Sequence, residues 1–258
     1  MVCLIRMIRL VDFPVLVFLV SLVTLWLSAR IGALHQNLRP MSEHEQQDFD
    51  RVLAATLTLL GLIIGFSFSM VITRYDQRKN YEEEEANAIG TEYLRADLLP
   101  AADAAKVREL LKDYLDLRVL FYEARFEWQV VTLNAQTEKL QTALWSAVET
   151  VAEKQPTPTV ALVVSGMNDV LNSQGYTQAA WWNRLPVAAW GLLVAIAIFC
   201  DWLIGYGARR KGIGLFLILP LAVSTSFLLI ADIDSPRRGL IRVVPQNLVS
   251  LSQSLRTP

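Results

Sequence analysis

Val52-Leu-Ala-Ala-Thr-Leu-Thr-Leu-Leu-Gly61-Leu-Ile-Ile-Gly65-Phe-Ser-Phe-Ser-Met-Val-Ile-Thr73 is a run without a single charged residue. Lipid offers the backbone no hydrogen-bond partner, so a crossing segment must pair its own N–H and C=O groups, and a helix of about 20 residues does so across the hydrocarbon. This stretch is long enough. Three others match it: about Phe13 to Ala29, about Leu185 to Tyr206, and about Ile213 to Ile233. The second and fourth runs contain no Lys or Arg, whereas an amphipathic helix of a soluble protein carries a polar face. The sequence therefore predicts an all-α, polytopic membrane protein with four transmembrane helices and the lipid bilayer as its first partner.

Composition agrees. Of 258 residues, 53% are hydrophobic, against roughly 45–50% for a soluble domain, and the excess sits in the four blocks. Lys+Arg is 24 and Asp+Glu 25, a net charge of −1. So even a balance gives no electrostatic footprint for nucleic acid. Cys3 and Cys200 lie in or beside apolar blocks and are too few for a disulfide framework or a zinc site. They read as small buried apolar residues. Arg6 and Arg9 ahead of the first run, with Ser28-Ala29 after it, also resemble a cleavable leader, but no small-x-small site follows, and the run is long enough to stay as a span.

Orientation follows the cations near the span ends. With the N-terminus in the cytoplasm, the inside holds Arg6, Arg9, Arg74, Arg78, Lys79, Arg184, Arg237, Arg238 and Arg242. The outside holds Arg30, Arg39, Arg51 and Arg209-Arg210-Lys211, the last opposing the bias. Both termini are thus expected inside.

The expected domains are residues 1–73 (first transmembrane hairpin), 74–184 (a helical cytoplasmic domain), 185–233 (second hairpin) and 234–258 (tail). No Gly or Pro falls between Gly65 and Gly90, so the second span should run on into water as a helix until Pro100. Helices are expected over about Asp103 to Val130, Gln136 to Glu153, and onward from Pro158 through Val160, Val163, Met167 and Val170. Their apolar stripes should close into a bundle.

Motifs for catalysis are missing: there is no Gly-rich phosphate loop, no His-Glu-x-x-His and no Ser nucleophile between glycines. The reading is not an enzyme, with no cofactor and no metal. His35 and His44 lie in the short first loop; His44 is flanked by Glu43 and Glu45 with Asp48 a turn on, a pattern that could ligate a cation but reads as a solvated loop. Glu82-Glu83-Glu84-Glu85 is the densest charge run. It reads either as a vestibule ring that attracts ions when subunits surround an axis, or as a solvated helix surface with weak pairs to Arg78 and Lys79. Charges inside lipid are costly. Asp201 is the deepest, a candidate for an intramembrane charge with a functional or ion-pairing role. Asp12, Asp232 and Asp234 read as interface anchors within reach of Arg184, Arg209 or Arg237.

The stretch Leu62-Ile-Ile-Gly65-Phe66-Ser-Phe68-Ser-Met-Val-Ile-Thr73-Arg74-Tyr75 resembles the second transmembrane helix of bestrophin anion channels. Glu83-Glu84-Glu85-Ala86-Asn87-Ala88-Ile89-Gly90-Thr91-Glu92-Tyr93-Leu94-Arg95, followed by Leu98-Leu99-Pro100, resembles the hallmark of a bacterial bestrophin-like family of largely uncharacterised membrane proteins. That likeness covers nearly the whole chain; the channel likeness covers little more than span two. The resemblance implies a bacterial inner-membrane homo-oligomer, a pentamer if the likeness holds, passing chloride or other small anions. It assigns the hydrophobic neck to Thr58, Leu62 and Phe66, and the pore-helix end and vestibule to Arg74 and Glu82–Glu85. The i, i+4, i+8 spacing of the neck residues puts them on one helical stripe. The same stripe could pack on another span, with Gly61 and Gly65 as close-approach residues. The tail after Asp234 lacks the acidic calcium clasp of animal bestrophins, so calcium gating is not expected. Span two lacks their initial proline, and Tyr75-Asp76 stands where that family has Trp-Trp. Two functions compete: an oligomeric channel, or a non-conducting scaffold or sensor binding a partner through the bundle.

Overall fold

The computed structural model of the chain describes residues 11–38, 41–208 and 215–256, with the side chains of 43, 44 and 215 outside that description. Its elements are helices: α1 (Pro14–Leu38), α2 (Glu43–Arg95), α3 (Ala101–Glu123), α4 (Glu127–Lys154), α5 (Pro158–Trp182), α6 (Val187–Gly207), α7 (Leu215–Asp234) and α8 (Gln246–Ser254). Among the described residues, four helices are long and apolar enough to cross a membrane: α1, α2, the stretch that includes α6, and α7. Residues divide into two compact units, Met1–Arg74 with Arg184–Ile241, and Tyr75–Asn183 with Arg242–Pro258.

In the first unit α1 packs on α6 and α7. Residues small enough for backbones to touch make the α1–α6 contact. A Cβ on Gly32 would collide with the Trp202 carbonyl oxygen, and one on Gly205 with that of Ala29. Ser28 Oγ donates to the Ile198 carbonyl at 2.7 Å. Helix α1 runs to Leu38, past the expected end at Ala29, because no breaker precedes Pro40. His35 is consequently not in a loop: its ring meets Trp202 and Tyr206 edge-on, both at 5.8 Å. The side chain of His44 and the run Arg209-Arg210-Lys211 lie outside the described residues, as does Cys3. Cys200 is buried, its thiol 3.6 Å from the Thr56 carbonyl.

The aspartates at the span ends find specific partners. Asp12 pairs with Arg184. Asp234 accepts from the Leu185 N–H at 2.9 Å, and Asp232 from those of Leu240 and Ile241 at 2.7 and 2.8 Å.

The second unit is a bundle of the later part of α2 with α3, α4, α5 and α8, around Ile89, Val107, Leu111, Tyr114, Phe121, Leu144, Val163 and Met167. Thr157 Oγ1 caps α5 by accepting from the Val160 N–H at 3.2 Å, with Pro158 at the first helical position. One expected helix, about Asp103 to Val130, is instead two. The chain breaks at residues 124–126 without Gly or Pro, since Gln129 Oε1 takes the N–H groups of Arg125 and Phe126, both at 3.1 Å, and starts α4 there. Trp128, just inside α4, is 69% exposed. Part of the tail joins the bundle: α8 sets Leu248 into its core.

Gly32→Val should force α1 and α6 apart and cost about 1–3 kcal/mol, typical of overpacking. A lower thermal midpoint in detergent, with Gly191→Ala (which meets nothing within 4 Å) unchanged, checks this.

Candidate functional site

Helix α2 has two opposite sides. At 3.6 residues per turn, Leu60, Ser67, Val71, Arg78, Glu82, Glu85, Ile89 and Glu92 follow one another along one side, and all are buried. Half a turn away run Thr58, Leu62, Phe66, Ser69, Thr73, Asp76, Asn80, Glu84, Asn87 and Thr91, and all are exposed. The three neck candidates thus lie on the side of α2 that none of the other described residues covers. Leu62 is 53% and Phe66 64% exposed. Thr58 Oγ1 turns back to the Ala54 carbonyl at 2.9 Å. Gly61 and Gly65 have no atom within 4 Å of where a Cβ would stand, so they make no close approach among the described residues. The polar continuation from Ser69 to Thr91 was not singled out from sequence, although extending the same spacing would have reached it.

The four-glutamate run is split by this phase. Glu83 and Glu84 are exposed, Glu83 one position beside the stripe and Glu84 on it. Glu82 and Glu85 are buried, so neither a vestibule ring nor a solvated surface describes them. Glu82 accepts from the Leu248 N–H at 2.9 Å and Asn247 Nδ2 at 2.6 Å, placing a negative charge on the free N–H groups that open α8. Glu85 meets Arg118 in a fully buried ion pair. It also accepts from Thr177 Oγ1 at 3.2 Å and Tyr122 Oη at 3.3 Å. Burial first, then the Glu85 charge, raises the Tyr122 phenol, which keeps its proton available to donate. Such a pair is costly to break from one side, about 3–5 kcal/mol, because the remaining charge is left unpaired. Arg78, expected beside the glutamates, donates to the carbonyls of Ala180 at 3.3 Å and Asn183 at 3.4 Å, a cation at the C-terminus of α5.

Arg74 turns inward. It is 3.9 Å from Asp234, with little of its side chain in solvent. Asp201 is completely buried on α6, and its carboxylate oxygens have no hydrogen-bond partner among the described residues. Among those residues no group of three His, Cys, Asp or Glu side chains could hold a metal.

Among the described residues, Glu92 is the other buried carboxylate without a hydrogen-bond partner. Gly166 makes room for it, since a Cβ there would strike Glu92 Oε2 and Arg95 Nη1. Burial pushes Glu92 up to about 8 from 4.5, Arg95 opposing and Asp169 adding to the rise.

Four apolar spans, two on each side of an inserted helical bundle, with a second span continuous with that bundle, define a multi-pass helical membrane protein. A family model described as a Bestrophin-like domain matches residues 15–248. The chain belongs to the Bestrophin-like family. Its fold is similar to that of a bestrophin homologue from Klebsiella pneumoniae. One single-substitution variant of that protein gives a TM-score of 0.65 at 13% identity, covering 92% of this chain and 97% of that one. The form phased on zinc gives 0.64 at 13% identity, covering 95% and 99%. A structure described only as a membrane protein variant gives 0.65 at 13% identity, covering 94% and 97%. No protein of curated function matches the chain.

Glu92 yields a pH dependence. Its folded-state value lies above the unfolded one, so the stability it contributes is complete below about 4.5 and is lost as pH rises through about 8. The thermal midpoint should fall across that window, and Glu92→Gln should flatten the fall. An unchanged slope in the variant would contradict the assignment.

Proposed function

We propose that copies of this chain assemble around an axis into an ion channel whose pore is lined by the uncovered stripe of α2. The observation that carries this reading is the order of residues along the stripe: Thr58, then the large apolar Leu62 and Phe66, then only polar residues from Ser69 to Thr91. Two bulky apolar side chains per subunit make a constriction that gates by dewetting, and a polar, wettable surface follows. One lining helix per subunit requires several subunits, and the family likeness points to five. The cation bias at the span ends supports a cytoplasmic bundle, with both termini inside, in a bacterial inner membrane.

Replacing Leu62 and Phe66 with Ala should raise ion flux in liposomes holding the purified oligomer, roughly tenfold if the constriction contributes about 1.4 kcal/mol to the barrier. Unchanged flux, or a monomer or dimer by native mass measurement, would instead favour a scaffold or sensor.

The likeness to bestrophin channels implies chloride or another small anion. The stripe argues otherwise. Between Thr58 and Thr91, Asp76 and Glu84 lie on it and Glu83 beside it, and no Lys or Arg does; Arg51, two turns before Thr58 on the same side, pairs with Asp48, and Arg74 is held by Asp234. Acidic linings favour cations, and this is the selectivity the geometry supports. In a potassium chloride gradient the current should reverse near the potassium potential. Neutralising Asp76, Glu83 and Glu84 together should move the reversal toward the chloride potential. Reversal at the chloride potential in the unsubstituted protein would restore the anion reading.

A further inference from the structure

The turn between α3 and α4 carries an apolar surface unused by the bundle. Phe126 and Trp128 stack with ring centroids 6.5 Å apart, and they are 54% and 69% exposed, beside Leu120 and Val131 at 47% and 63%. Exposed aromatics grouped in this way mark a contact surface rather than chance exposure.

Contacts inside the bundle fix which end this turn occupies. Helices α2 and α3 run antiparallel, with the Arg108 guanidinium donating to the Tyr93 carbonyl at 3.4 Å and Arg118 paired with Glu85. Phe126 lies eight residues beyond Arg118, and Gln77 lies eight before Glu85, so the turn is level with the first residues of the bundle. Helix α5 agrees. Its Trp181 meets Phe121 and Tyr122 edge-on at 5.2 and 5.5 Å, and its last carbonyls take the Arg78 guanidinium. The Phe126–Trp128 turn therefore sits at the end of the bundle where the chain arrives at Tyr75 and leaves at Asn183. Trp182, 74% exposed, is at that same end.

We infer that Phe126, Trp128 and Val131 form an interfacial anchor that seats this end of the bundle in the headgroup layer of the bilayer. Trp rings are enriched at that depth because an apolar body and a single N–H donor suit a boundary between hydrocarbon and water. The chain direction supplies the location: the apolar spans adjoin residues 75 and 183 covalently. Charge does not supply the attraction, since Glu123, Arg125 and Glu127 surround the turn and carry a net negative charge. The anchor is thus a surface for neutral and anionic lipid alike.

The test uses the full chain in phosphatidylcholine nanodiscs, with Cys3→Ser and an environment-sensitive fluorophore attached at Trp128→Cys or, independently, at Val131→Cys. Both labels should emit blue-shifted light and be quenched by lipids bearing a nitroxide near the headgroup. A label at Gln155→Cys, at the opposite end of α4, should be quenched only by a water-soluble nitroxide. Adding phosphatidylglycerol should leave the two turn labels unchanged. The proposal is overturned if they respond only to the aqueous quencher. It is equally overturned if they are shielded from both quenchers, which would mean a protein surface, such as a second copy, covers the turn. Because the readout needs no ion flux, it stands or falls separately from the channel reading.

Discussion

A single ladder of i→i−4 hydrogen bonds from Glu43 to Arg95 fixes the phase of everything attached to it. At 1.5 Å per residue, 53 residues span roughly 80 Å. Each step turns the helix by about 100°, so within the bundle Glu84 and Glu85 cannot both face the core, and Glu92 returns to the side of Glu85. One added residue would swing Glu85 and Glu92 out of the bundle core and aim different side chains along the free side. Ser42 and Glu45 secure the start of this ladder, Ser42 N–H and Oγ both reaching the Glu45 carboxylate, at 2.8 and 2.9 Å.

That phase explains how a charge run came to be divided between core and surface. Burying a carboxylate is unfavourable unless it is matched, and each buried glutamate of the run is matched differently. Glu85 has a guanidinium and two hydroxyls; Glu82 has the N–H groups that open α8. The tail helix is held on the bundle through that carboxylate together with Leu248, a polar bond aligned with an apolar one. Glu92 is the exception, answered by space at Gly166 and by retaining its proton rather than by a partner.

The four spans were legible because lipid imposes a length and an apolar composition that nothing else in the chain imitates. The inserted bundle was legible from helical spacing of apolar residues. The break at residues 124–126 was not, since its cause is a side chain, Gln129, reaching backward, and no breaker residue marks it. The fate of Glu82 and Glu85 was hidden for a different reason: composition treats four glutamates as equivalent, while the partners that distinguish them, Arg118 and Leu248, are 33 and 166 residues away. Helix α8 did leave a trace in the spacing of Leu248, Leu251 and Leu255, which a search of the tail for acidic residues passes over. The candidate neck was legible only as a stripe. Which way the stripe faces depended on the packing of the rest of the chain.

Glycine is used in two different ways in these spans. Small residues in a span are useful where backbones touch, and Gly32 and Gly205 are used in this way between α1 and α6. Gly61 and Gly65 meet none of the described atoms within 4 Å of a Cβ position, and they stand next to Leu62 and Phe66 on the uncovered side. Against lipid, a glycine position loses dispersion contacts that a larger side chain would make, whereas the hydroxyls of Thr58 and Thr73 are satisfied within the helix by the Ala54 and Ser69 carbonyls at 2.9 and 3.0 Å. In the proposed assembly that side would face another copy or water instead of lipid, and the open positions at Gly61 and Gly65 leave room for a second backbone to approach.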